Sequence, residues 1–128
     1  MSELKIALIG SAPSSIQQAP YHDPSWLVWG CSPGAYGVVP KGRSNVWWEL
    51  HLYEPGTPWF SPEYCEFLRE HPCVMVAEER PEIPNGKTLP VDDLLKKYGP
   101  YFFTSSIAWM MATAIETVSY THLTLPTI

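Results

Sequence analysis

The sequence predicts an α/β fold, a mainly parallel β-sheet held between two layers of helix. Two observations carry that expectation. Short, nearly continuous apolar runs at Leu4–Ile9, Trp26–Cys31 and Cys73–Ala77 suit strands buried on both faces. Helical stretches with clear start and stop signals lie between and after them, so strands and helices alternate along the chain.

The first run is broken only by Lys5 and ended by Gly10. Ser14–Ala19 has room for one or two helical turns before Pro20, and Tyr21-His-Asp-Pro-Ser25 reads as a turn, because proline restricts the residue before it and Asp bonds its own backbone. Trp26–Cys31 is then the second strand of a β-α-β order with a short helix. Ser32–Gly37 is loop, and Asn45–His51 is a third strand that ends in polar groups. Ser61-Pro62-Glu63 opens a helix with Ser as N-cap, Pro at the first helical position and an acid in the first turn. It should run to about Glu70, ahead of His71-Pro72. Cys73–Ala77 is the fourth strand, and a proline-rich passage from Arg80 to Pro90 follows.

Val91–Tyr98 makes a short helix with Asp92 and Asp93 first and Lys96 and Lys97 last, in agreement with the helix dipole, and Gly99 stops it. Thr104 or Ser105 caps a final helix, in which Ile107, Met110, Met111 and Ala114 recur at i, i+3, i+4 and i+7 and mark a core face. In an α/β fold such a helix leads to another parallel strand. The chain is therefore expected to stop short of a full domain and to leave an apolar face open.

The tail fits that expectation. Val118–Thr127, VSYTHLTLPT, back-translates codon for codon into a transposon-end sequencing adapter read in frame, so residues 118–128 read as a foreign, adapter-derived tail. The alternative is a C-terminal edge strand, VSYTHLTL. On the first reading residues 1–117 are the N-terminal part of one domain, truncated at about Thr117.

Eight Lys plus Arg against thirteen Asp plus Glu, a formal charge of −5, leave no basic stripe for a nucleic-acid backbone, so no nucleic-acid partner is expected. No signal-type leader or membrane-length apolar run is present in the sequence, and no membrane partner is expected. The chain reads as cytoplasmic. Cys31, Cys65 and Cys73 form no C-x-x-C pair and read as three buried thiols, with no metal site.

Functional expectations centre on the strand ends. Gly10-Ser-Ala-Pro-Ser-Ser15 leaves a strand and enters a helix, a place where backbone N–H groups and a helix dipole favour an anion. Gly10 permits the turn, Ala12 keeps the backbone approachable, Pro13 suits the first helical position, and Ser11, Ser14 and Ser15 offer hydroxyls. The same residues read equally as a Ser-capped turn without a ligand. The loop is not a Walker loop, since no Lys follows, and it keeps only the first Gly of the dinucleotide fingerprint. Glu49 and His51, two apart on a strand, point to one face and are the acid/base candidates. A solvent-facing edge is the alternative for that pair. Thr104, Ser105 and Ser106 begin the last helix and offer a second anion position, or simply cap it. Tyr36, Trp47, Trp48, Trp59 and Tyr101 are candidates to stack a ring, although strand tryptophans are more often core.

A strand, then G-S-A-P-S-S, then a second strand ending in a small polar turn, resembles the G-x-G-P-S-L opening of Rossmann-like proteins. These include bacterial CMP-sialate-dependent sialyltransferases and MptE-like 6-hydroxymethylpterin pyrophosphokinases. The stretches W-x-E-L-H and Y-F-x-T-S-S-I-A-W-M also resemble uncharacterised phage and prophage proteins over most of residues 4–116. The resemblance implies a Rossmann-like three-layer sandwich and a nucleotide or nucleotide-sugar ligand contacted by Gly10–Ser15. Ser32 stands where those families carry an Asn, and Ala12 and Ser15 replace their second Gly and Leu. It implies a glycosyl-, nucleotidyl- or pyrophosphoryl-type transferase, and the sequence points to no particular cofactor besides the nucleotide ligand. The alternatives are a phage protein that sequesters a nucleotide without turnover, and a protein-interaction module.

Overall fold

A computed structural model of the chain describes residues 4–10, 15–31 and 34–119. Five parallel strands, β1 (Lys5–Ile9), β2 (Trp26–Cys31), β3 (Val46–Glu49), β4 (Val74–Val76) and β5 (Gly86–Thr88), form one sheet in the order of the chain. The described residues also form helices α1 (Pro62–Glu70), α2 (Val91–Tyr98) and α3 (Ser106–Ser119) and a single 3-10 turn at Ile16–Gln18. The fold is α/β, as the apolar runs and helix signals imply.

Sequential parallel order has a consequence for the layers. Crossovers between adjacent parallel strands share one hand, so connections that step always in the same direction fall on the same face. Ile16, Ala35, Phe60, Tyr64, Leu68 and Ile83, one or more from each connection, all pack on one face with Val28, Trp47 and Val74. The chain then returns across the other face, where Leu94, Met110 and Ala112 pack on Trp29, Val46, Trp48 and Met75. Neighbouring residues of β3 thus serve opposite layers, which is why Val46, Trp47 and Trp48 are all buried.

The helix termini follow the expected chemistry. Ser61 Oγ accepts the Tyr64 N–H at 3.1 Å, Pro62 holds the first helical position, and Glu63 and Arg69 sit at the ends that the dipole favours. Gly99 stops α2 at φ 82°, where its N–H reaches the Leu95 carbonyl at 2.9 Å.

Several expectations need correction. The helical turns read over Ser14–Ala19 reduce to one 3-10 turn. The third strand ends at Glu49 rather than His51, because the Glu49 carboxylate takes the His51 N–H at 3.0 Å and turns the backbone out of the ladder. The proline-rich passage holds β5, a polar three-residue strand paired to β4. Met111 is 43% exposed instead of core; α3 turns Met110, Thr113 and Thr117 inward, and the two threonine hydroxyls are satisfied by the carbonyls of Trp109 and Thr113. Met111, Ile115 and Val118 form an exposed apolar stripe on the outer side of that helix. Cys73 is buried, whereas Cys31 and Cys65 are only partly so. No described helix is long and apolar enough to cross a membrane.

Candidate functional site

Parallel strands bring their carboxyl ends to one edge, so Gly10, Cys31 and Glu49 finish on the same side of the sheet. The first turn of α3 lies over this edge. A Cβ built on Gly10 would sit 3.5 Å from Ile107 Cδ1, and the Ser106 side chain hydrogen-bonds the Cys31 thiol. Burial pushes the Cys31 thiol up, with the nearby Glu49 charge adding to it, which favours the protonated sulfur.

Gly10, Ser106 and the end of β2 are therefore neighbours. Ser105 is exposed one residue ahead of α3. Ser15 is also exposed, and its side chain makes no capping bond to the 3-10 turn. Gly10 and Ser15 line a hollow of about 280 Å³ along the side of β1. Ser11, Ala12, Pro13, Ser14 and Ser32 lie outside the described residues. One physical expectation changes: a three-residue 3-10 turn has almost no macrodipole, so of the two expected helix N-termini α3 alone brings a substantial one to this edge.

The acid/base candidates form a more elaborate structure than their spacing indicates. Trp47 Nε1 donates to Tyr64 Oη at 2.9 Å, and the Tyr64 hydroxyl donates in turn to Glu49 Oε1 at 2.7 Å. The other carboxylate oxygen, Glu49 Oε2, meets His51 Nδ1 at 2.7 Å. Glu49 is 2% exposed, while the His51 side chain is half exposed. Opposite the Glu49 carboxylate Nδ1 is the donor nitrogen, and Nε2 keeps the lone pair of a half-exposed ring. This is the order of parts by which a buried carboxylate fixes a histidine as a general base.

Gly30 makes the chain possible. It pairs with Trp47 across the β2–β3 ladder, and a Cβ there would stand 2.5 Å from the Trp47 ring. Beside His51 opens a cleft of about 200 Å³ whose wall includes Tyr53, Glu78, Arg80 and Ile83. Burial, then its hydrogen bond with Cys65, pushes the Tyr53 phenol up to about 12, so it stays neutral at the rim.

A larger cleft, about 710 Å³, runs between residues 35–45 and α1 over the aromatic floor of Trp47 and Phe67. It holds neither Gly10 nor His51. Of the ring candidates, Trp47 and Trp48 are core, whereas Tyr36, Trp59 and Tyr101 are exposed. Pattern reading missed Tyr64 and Arg80. Tyr64 had one available signal, its place four residues before Leu68 on the buried side of α1. Comparison with family models, with curated proteins and with solved structures finds no match to this chain.

Proposed function

We propose that this is a Rossmann-like domain that binds a nucleotide or nucleotide-sugar along the carboxyl edge of its sheet and transfers a group from it. The observation that carries the reading is the buried chain Trp47–Tyr64–Glu49–His51, which ends in a half-exposed imidazole. A purely structural histidine does not need a buried carboxylate, held by a tyrosine, to fix its tautomer. In this reading Gly10–Ser15 and the α3 N-terminus with Ser105 and Ser106 take the phosphates, Ser32 takes the sugar or base, and His51 removes a proton from the acceptor. The cytoplasmic setting that it assumes agrees with Cys31, Cys65 and Cys73 standing as thiols rather than in disulfides.

The test is calorimetric titration with CMP, UDP and GMP, followed by turnover assays on any nucleotide-sugar that binds. His51→Ala should retain nucleotide affinity and lose turnover, while the pair Ser14→Ala and Ser15→Ala should weaken binding. A sequestering protein would show affinity that His51→Ala leaves intact and no turnover in either form. A second reading, an interaction module, is favoured by the exposed apolar pair Met111 and Ile115 on the outer side of α3. It gains if none of the nucleotides binds.

A further inference from the structure

The cleft beside His51 has a size and a charge pattern that the nucleotide reading does not use. Pockets for whole drug-sized ligands run about 300–1,000 Å³. At about 200 Å³ this one has room for a small molecule or a fragment, not for a nucleotide. Two charged side chains line it besides the Glu49–His51 pair, Glu78 and Arg80. Arg80 is the more enclosed, with its side chain 30% exposed against 77% for Glu78. Their separation of 3.5 Å is longer than the roughly 2.7–2.9 Å of a charge-assisted hydrogen bond. The planar fork of the guanidinium suits a carboxylate or phosphate. A fixed cation thus shares a small cleft with an oriented base.

We propose that this cleft is the acceptor subsite and takes a small alcohol bearing an oxyanion group, which Arg80 holds while His51 receives the hydroxyl proton. The inference rests on the transferase reading. In the step, the acceptor O–H breaks and its proton goes to His51 Nε2. The acceptor oxygen forms a bond to the electrophilic carbon or phosphorus of the nucleotide donor. The bond from that atom to the leaving phosphate breaks, and the electron pair departs with the nucleotide. Glu49 faces the imidazolium that results. Arg80 is a specificity residue here, and the aliphatic wall of Val76 and Ile83 limits the length of the acceptor.

The test uses the full chain and follows the His51 imidazole by proton–carbon NMR. The probes are glycerol 3-phosphate and glycerate, with glycerol as the uncharged control. At least one anionic probe should shift the ring resonance saturably, and glycerol at the same concentration should not. Arg80→Gln should weaken that binding at least about tenfold, the scale of one charge-assisted contact. Glu78→Gln, which removes the competing carboxylate, should tighten it about two- to threefold, and it checks the idea should Arg80→Gln fail to fold. An equal response to glycerol, unchanged affinity in Arg80→Gln, or no response to either anion overturns the proposal. Titrations with CMP, UDP and GMP read at the Gly10 and Ile107 amides separate it from the reading on which it rests. Binding of any of the three without an anion response removes the subsite alone, and an Arg80-dependent anion response without binding of CMP, UDP or GMP removes the nucleotide reading.

Discussion

Trp47 and Trp48 are neighbours on β3 and both are about 1% exposed, yet they serve the molecule in different ways. Trp47 points to the α1 layer, where its Nε1 donates to Tyr64 and begins the chain that ends at His51. Trp48 points to the α3 layer, packs on Trp29 at 5.7 Å between ring centroids, and its Nε1 finds no hydrogen-bond partner among the described residues. Both bury a large apolar area, but only the first converts its polar atom into the orientation of a site. Burial alone therefore says little about which tryptophan matters to function.

The largest effect that would break this contrast comes from Gly30, which leaves room for the Trp47 ring. Gly30→Ala puts a methyl 2.5 Å from an aromatic carbon that is fully packed, so the ring or the strand must shift. A loss of about 3 kcal/mol or more is expected in urea denaturation. Tyr64→Phe comes next, since its hydroxyl serves both Trp47 Nε1 and Glu49 Oε1. Removing it should cost about 2 kcal/mol and free the carboxylate to rotate, which denaturation and His51 NMR would both register.

The direct comparison is Trp47→Phe against Trp48→Phe. Each loses similar packing volume, but the first also withdraws a donor from Tyr64, so it should be the less stable by about 1 kcal/mol. Equal losses would show that the Tyr64 contact contributes nothing.

The smallest effect is a pH dependence away from the site. His71 Nε2 lies 3.1 Å from the Ser44 carbonyl and its Nδ1 accepts the Cys73 N–H at 3.1 Å, an arrangement that needs the neutral ring. Burial holds its pKa below the ordinary imidazole range. The unfolded chain therefore takes the proton first, and the contribution is present above about pH 6.5 and lost as pH falls below that value toward the folded pKa. Melting temperatures should drop more between neutral and mildly acidic pH than they do in His71→Gln.

How much of this could be read from the chain follows from where each signal resides. β1, β2, α1 and α2 declare themselves through local features: unbroken apolar runs, the Ser61-Pro62-Glu63 start, and Asp92 to Lys97 charge order closed by Gly99. β5 does not, because Gly86-Lys-Thr88 is polar and is a strand solely through its pairing with β4. The inward face of α3 is hidden in the sequence for a related reason. Thr113 and Thr117 read as polar until their hydroxyls are seen bonded to the helix's own carbonyls. Glu49 and His51 were legible as a pair on one face. Tyr64 and Arg80 were not, since Tyr64 reaches Glu49 from a helix and Arg80 lines the same cleft from a loop distant in sequence, and no local spacing encodes that arrangement.

The measurement that tests the central claim most directly needs no ligand. Long-range proton–nitrogen NMR on the native chain at neutral pH reports which nitrogen of each histidine carries the proton. The buried carboxylate should hold His51 as the Nδ1–H tautomer with Nε2 unprotonated, and Glu49→Gln should abolish that preference. A His51 ring that is mainly protonated on Nε2 in the native chain, or whose tautomer is indifferent to Glu49→Gln, would contradict the assignment of His51 as an oriented base.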